Sequence, residues 1–283
     1  MIKDILKQFN IDTFAFVPAS LCKTGNERLF GAVPKGANVI FLLFPYYVGD
    51  CQKKISAYGA VYDYHAFAKE VFSALTEYVN GKYPNAFCRG YSDHSPFLEC
   101  FGAAAAGLGV IGKHSLLITE KYSSYVFIGE LVTTLTEKEL SDEGIEQGEG
   151  EISYCTGCNA CVSACPAGCA GKEDRTLCVS AVTQKKGELS NEEINILLQG
   201  GSIWGCDICQ SVCPYTKKAK DSGTLYTPIE YFKNSYMDCS PEKAVLNMND
   251  GTFLRYPFAW RKRKTIERNI SILYEERTED NND

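Results

Sequence analysis

The sequence predicts a mixed α/β (α+β) domain, a small cysteine-bound domain after it and a short helical C-terminal segment. Three observations predict this. Apolar strand-like runs alternate with helix-period segments over residues 1–135, a polar stretch lacking hydrophobic period follows at 136–151, and cysteines crowd between Cys155 and Cys213. The expected divisions are therefore 1–150, 151–225 and 226–283.

Each element follows from its residues. ANVIFLLFPYY (37–47) reads as a buried strand stopped by aromatics and Pro45, and YVFIGELVTTL (125–135) as another. In DYHAFAKEVFSALTEYV (63–79), Ala66, Phe67, Val71, Leu75 and Val79 share one helical face. Ser95-Pro96 suggests an N-cap and first helical residue for a second helix that closes at Gly107. NEEINILLQGG (191–201) reads as a short helix with a glycine stop, and 241–273 as partly helical with a frayed end after it.

Composition narrows the function classes. With 45% hydrophobic and 23% charged residues in 283, the chain is neither disordered, collagenous nor coiled-coil. No apolar run approaches the roughly 18 residues a membrane span needs. The amphipathic start MIKDILKQFNIDTFAF lacks a signal-peptide core, so a cytosolic (cytoplasmic) protein without a membrane partner is expected. Fourteen cysteines in a reducing compartment point to metal or cluster ligation rather than disulfides, and three histidines are too few for a site built on imidazole.

Charge is uneven. Residues 137–151 contribute −6 and Glu275–Asp283 −4 to a net −6, which leaves +4 on the remainder, with Arg261, Lys262, Arg263 and Lys264 in one run. Such a body is compatible with nucleic-acid binding without demanding it; a solvated helix face accounts for the run equally well.

The cysteine spacing is the strongest signal. Cys155, Cys158, Cys161, Cys165 and Pro166 form C-x2-C-x2-C-x3-C-P, the bacterial ferredoxin run, whose fourth thiolate reaches a different cluster from the first three. Cys206, Cys209, Cys213 and Pro214 repeat the second part of it, with Ile203 where a leading cysteine would be. Exchange of fourth ligands gives Cys155, Cys158, Cys161 and Cys213 to one 4Fe–4S cluster. Cys165, Cys206 and Cys209 go to a second, which needs one more ligand, Cys178 or Cys169; spacing alone leaves both open, although Cys169 lies close to the first turn. Structural zinc fits less well, because Cys158 and Cys206 are 48 residues apart and eight thiolates exceed what one zinc takes. Cys22, Cys51, Cys88, Cys100 and Cys239 read as small buried hydrophobes.

Around this ferredoxin-like signature the remaining motifs carry a resemblance. AYGAVYDYHAFAKEV (57–71), SDHSPFLEC (92–100), AGLGVIGKHSLLI (106–118), FIGELVTTL (127–135), CTGCNACVSACPAG (155–168), LCVSAVTQKKGELS (177–190) and GCDICQSVCPY (205–215) occur in the order seen in epoxyqueuosine reductases. Together they are far more specific than any one of them. The chain resembles that family over roughly residues 55–275.

The resemblance implies an oxidoreductase with a cobalamin-binding domain joined to a ferredoxin-like domain with two 4Fe–4S clusters. It implies base-off cobalamin between the two, an external low-potential electron donor and epoxyqueuosine in a tRNA anticodon loop as substrate. It also implies Cys178 as the isolated ligand of the second cluster and Asp93 as general acid, against the plainer reading of Asp93 as a turn residue. Gly107, Gly109, Lys113, His114, Cys206 and Asp207 fall where the family meets cobalamin, although a helix stop and tight turn also account for the two glycines.

Several positions depart from the family. Ala105, Val110 and His94-Ser95 differ from its usual residues, and Asp63-Tyr64-His65 lacks the glycine of cobalt-ligating D-x-H-x-x-G motifs because Ala68 occupies that place. His65 is thus expected as a hydrogen-bonded residue beside a helix start. Family members commonly continue into a helical-repeat domain that helps hold tRNA, and RKRKTIERNISIL (261–273) resembles its beginning. A short form without that domain is expected. The alternatives are a cobalamin-dependent reductase of an organohalide or free nucleoside, and a non-catalytic electron carrier.

Overall fold

The computed structural model describes residues 1–50, 54–237 and 240–279, with side chains to Tyr274. Cys51, Cys239 and the acidic side chains from Glu275 lie outside the described residues. The chain forms two compact units, one of Met1–Pro45, Tyr64–Thr156 and Pro228–Glu230, the other of Tyr46–Asp63, Gly157–Thr227 and Tyr231–Asp283.

The first unit is built on a four-stranded sheet. Strands β1 (Phe14–Pro18), β2 (Asn38–Pro45), β3 (Cys88–Tyr91) and β6 (Val126–Thr133) lie in the order β1-β2-β6-β3, with every neighbour antiparallel. A short hairpin, β4 (Val110–Ile111) with β5 (Leu117–Ile118), stands apart from it. The antiparallel pairing makes this unit α+β.

NVIFLLFP has no polar alternation because both faces of β2 are covered, and all eight of its residues are buried. Val39, Phe41 and Leu43 pack with Ala103 and Ala104 of the helix Glu99–Ala105. On the other face Phe44 meets Phe67 of the helix Tyr64–Lys82 edge-on, with ring centroids 5.4 Å apart. Each such fully buried side chain contributes roughly 1.5–3 kcal/mol.

The expected helix over 63–79 runs Tyr64–Lys82 and buries Phe67, Ala68, Val71, Leu75 and Val79, whereas Ala66 is exposed. The expected N-cap at Ser95 is not formed. The helix begins at Glu99, because Ser95 accepts the Phe97 N–H at 3.0 Å and donates its hydroxyl to Glu130, and Thr24 bridges Phe97. Its close at Gly107 holds, at φ +75°. The polar stretch 136–151 is folded into the first unit. Thr136 and Glu139 form a capping box on the helix Glu137–Asp142, and the chain then pairs with β1, the Phe16 N–H donating to Glu146 O and the Gly148 N–H to Phe16 O. The division therefore falls at Thr156, not near residue 150.

In the second unit, Trp204 and Phe258 pack edge-on at 6.2 Å within a core that includes Ile203, Val182, Leu197, Ile266 and Ile270. Residues 226–283 are thus no separate segment. Fully buried Asn269 donates to Thr183 O at 2.8 Å and Ile203 O at 2.9 Å, and ties the last helix to the cysteine-rich chain. The 46–63 stretch joins the same core through Ile55 and Ala60.

The basic run is not a solvated helix face either. Arg261 ends a 3-10 turn and stacks on Trp260 at 3.6 Å, Lys262 takes φ +69°, and Arg263 donates to Val245 O, Met248 O and Asp250.

Candidate active site and cluster-binding segment

Asp93 lies in the turn after β3, and its backbone is left-handed at φ +57°, a conformation that costs a non-glycine residue about 1–2 kcal/mol. The surroundings hold it there. Its N–H donates to Glu99 Oε1 at 2.8 Å. The Tyr64 hydroxyl donates to Asp93 Oδ1 at 2.5 Å, and His65 Nε2 lies 3.3 Å from Oδ2. Tyr64 is itself fixed by stacking on Phe127, with centroids 4.1 Å apart and planes 9° from parallel. His65 is thus a hydrogen-bonded residue at a helix start, as expected.

The Asp93 side chain is 66% exposed. Desolvation pushes its carboxyl up, but the His65 and Tyr64 bonds and the His65 charge outweigh it and hold the group below its usual range. A proton store raised by burial is therefore not found at Asp93 itself. It is found behind it. Glu99 is pushed up to about 7 by burial and by the Asp93 charge. Glu130, which is fully buried, is pushed up to about 8 by burial and by Glu99, against the Ser95 bond that favours its ionised form.

Glu130 lies on β6 opposite Phe41 and Tyr91 and shares its sheet face with Ile128 and Val132. Tyr64, Glu99 and Glu130 were not singled out from sequence. An acid inside the apolar run FIGELV is the signal that could have flagged Glu130.

The AGLGVIGKHSLLI segment forms the end of the Glu99–Ala105 helix and the β4–β5 hairpin. A side chain at Gly109 would collide with the Ile118 carbonyl, so close hairpin packing accounts for that glycine as chain reversal does for Gly107. His114 is buried, with Nδ1 accepting the Leu116 N–H at 3.2 Å, and is not presented as a polar edge. Lys113 is exposed, and its backbone N–H donates to Cys155 Sγ at 3.3 Å. Ala104, Ala105, Ala106, Gly107 and Gly109 line one side of an open cleft of about 530 Å³ that is also lined by Glu146, Glu149 and Glu151, so backbone and small side chains there stand opposite carboxylates.

Within the second unit, Asp207 is committed internally. Its Oδ2 accepts the Ala57 N–H at 2.5 Å and its Oδ1 accepts from Gln210 at 3.0 Å; burial pushes its carboxyl up to about 6 against those bonds. It ties the cysteine loop to the 46–63 stretch rather than facing outward. Gly205 before Cys206 has φ +69°, and a side chain there would strike Ser56 and Tyr58.

The cysteines of this unit sense one another. Burial pushes Cys206 and Cys209 up to about 12, with Asp207, Cys178 and Cys165 adding to it. Desolvation also pushes Cys165 up, but N–H groups of Ala170, Cys169 and Ala167 turn toward its sulfur and hold it below the usual thiol range. Cys169 Sγ is 3.7 Å from Cys165 Sγ and also contacts Cys178; burial and these two sulfurs push it up to about 12. Cys161 and Cys213 are buried and Cys158 is exposed. Sulfur donors gathered this way, with a carboxylate beside them, need cations to ionise together, and iron satisfies that need. Among the described residues, no three His, Cys, Asp or Glu side chains are grouped so that they could hold a single metal ion, and all twelve described cysteines are free of disulfides. No helix among them is long and apolar enough to cross a membrane.

Comparison with known proteins agrees. Residues 154–216 match a 4Fe-4S double cluster binding domain. An epoxyqueuosine reductase of Listeria monocytogenes is 29% identical over 224 residues, covering 75% of this chain and 54% of that protein. The structure of epoxyqueuosine reductase from Streptococcus thermophilus aligns with a TM-score of 0.75 at 22% identity, covering 100% of this chain and 85% of that one. A crystal structure of epoxyqueuosine reductase with an epoxyqueuosine-modified tRNA-Tyr stem loop aligns with a TM-score of 0.73 at 22% identity, covering 96% and 79%. The chain spans about half to two thirds of the length of the curated relatives it matches. It is, in sequence and in fold, a relative of the epoxyqueuosine reductases.

Proposed function

We propose that this chain reduces epoxyqueuosine to queuosine in a tRNA anticodon loop, using two 4Fe–4S clusters and base-off cobalamin fed by an external low-potential electron donor. The observation that carries the reading is the Asp93 turn with its Tyr64 and His65 bonds, in a chain that also matches a double-cluster domain.

Cys155, Cys158, Cys161 and Cys213 hold the first cluster, and Cys165, Cys178, Cys206 and Cys209 the second. The contacts of Cys169 with Cys165 and Cys178 suit a thiol beside the second cluster rather than its fourth ligand. Cobalamin, when bound, supplies the low-potential metal centre that delivers electrons to the substrate carbon. The backbone of 107–110 and the exposed Lys113 are the residues of the 106–118 segment open to the corrin edge.

Asp93 serves the departing oxygen. Tyr64 and His65 fix both carboxyl oxygens, so the group is aimed before substrate arrives. A substrate seated over this exposed carboxyl removes water from it and raises its proton affinity, and the alkoxide leaving the epoxide then takes that proton. Anaerobically reconstituted protein should form queuosine in an epoxyqueuosine-bearing stem loop, and Asp93→Asn should lose at least about a hundredfold in rate. Reconstituted wild type that accepts only the free nucleoside or an organohalide would overturn the substrate assignment.

A further inference from the structure

Deoxygenation of an epoxide to an alkene breaks two C–O bonds, forms one C=C π bond and two O–H bonds, and consumes two electrons and two protons. The electrons come from the external one-electron donor. Asp93, once substrate covers it and raises its proton affinity, delivers one proton. A second acid must complete the water molecule or refill Asp93.

We propose that Glu99 supplies that second proton, acting as a positioning residue and proton store behind Asp93, with Ser95 and Glu130 behind it in turn. This rests on the epoxide-reduction reading above. The geometry is two hydrogen-bonded pairs, Asp93 with Glu99 and Ser95 with Glu130, and Glu130 lies close enough to feel the Glu99 charge. Glu99 Oε1 clamps the Asp93 amide at 2.8 Å and keeps its left-handed turn. Ser95, four residues before Glu99, bonds Glu130 Oε2, whereas Glu130 Oε1 is fully buried with no hydrogen-bond partner among the described residues. A buried carboxylate with a bare oxygen is costly, so Glu130 rests protonated and leaves Glu99 as the member that exchanges its proton. Around Glu99 stand Asp93 from the turn, His65 and Tyr64 from the Tyr64–Lys82 helix, Glu130 from β6 and Cys100 beside it. Burial and the Asp93 carboxylate favour a protonated Glu99; the Asp93 N–H and a charged His65 oppose it. The position near 7 suits a group that gives up and regains a proton in each turnover.

Glu99→Gln keeps an oxygen for the Asp93 amide but has no proton to give; Glu99→Ala loses both. The full chain, loaded with clusters and cobalamin, is examined by infrared difference spectroscopy across pH 5.5–8.5 without substrate, and by single turnover on an epoxyqueuosine stem loop. Wild type should lose a protonated-carboxyl band with a midpoint near 7 that Glu99→Gln lacks, and in Asp93→Asn the same band should titrate at lower pH because the Asp93 charge is gone. Glu99→Gln should turn over about tenfold more slowly, with unchanged KM and a flattened pH profile, and Glu99→Ala should also raise KM. A band titrating near 7 that persists when Glu99→Gln is combined with Glu130→Gln, or a Glu99→Gln profile and rate equal to wild type, overturns the proposal. If the wild type forms no queuosine while the band behaves as expected, the proton store stands and the substrate assignment falls.

Discussion

The hydroxyl of Tyr64 donates to Asp93 Oδ1 at 2.5 Å, while the Tyr64 ring is held flat against Phe127. A side chain packed in the sheet thereby aims an exposed carboxyl. Hydrogen bonds to a carboxylate favour its ionised form. Tyr64→Phe should therefore raise the Asp93 pKa, move the corresponding limb of the pH–rate profile to higher pH and slow turnover about tenfold, roughly 1.4 kcal/mol of barrier. A pH–rate series on the stem-loop substrate checks this, and an unshifted profile would leave Tyr64 a packing residue.

The two candidate fourth ligands of the second cluster are separable by iron content. Cys178→Ser should reduce anaerobically reconstituted protein from about eight irons per chain to about four. On the proposed assignment Cys169→Ser should keep about eight, its thiol 3.7 Å from Cys165 Sγ being left outside the ligand set. Full iron in Cys178→Ser with loss in Cys169→Ser would reverse the assignment.

Glu130 links the site to stability. A carboxyl raised from 4.5 to about 8 binds more protons folded than unfolded across that window. Its stabilising contribution is therefore complete below about pH 4.5 and is lost as pH rises through 8, with a slope approaching about 1.4 kcal/mol per pH unit. Glu130→Gln should flatten the fall in Tm between pH 5 and 8.5 and be the more stable protein at the upper end. Thermal melts of both at four pH values measure it; parallel curves would contradict the burial argument.

Gly205→Ala should destabilise by more than about 1 kcal/mol, since alanine must adopt a positive φ there and its Cβ enters the space of Ser56 and Tyr58. Because the strain lies next to Cys206, the variant should also retain less iron. Chemical denaturation with iron analysis reads both effects.

Much of this molecule is legible in its residues, and the remainder fails for identifiable reasons. The buried run at 38–45 and the helix at 64–82 follow from local hydrophobic pattern. Ser95 does not cap a helix because a tertiary partner, Glu130, takes its hydroxyl, and no local rule reports a partner 35 residues away. Ala66 faces solvent and Ala68 the core because the true helical face is rotated slightly from the one that neighbouring apolar residues suggest. The cysteine spacing announces clusters, and Asp93 is reached through resemblance. The pairing of Asp93 with Glu99 depends on one left-handed residue, and Asp207 faces inward because a distant amide at Ala57 claims it. Motifs locate the chemistry; tertiary contacts decide its protonation.

The most direct test is the mass of the modified nucleoside recovered from a tRNA stem loop after anaerobic single turnover with reconstituted wild-type protein and a low-potential reductant. The account predicts loss of one oxygen atom from epoxyqueuosine, strongly slowed in Asp93→Asn. An unchanged mass, from protein that carries both clusters and cobalamin, would contradict it.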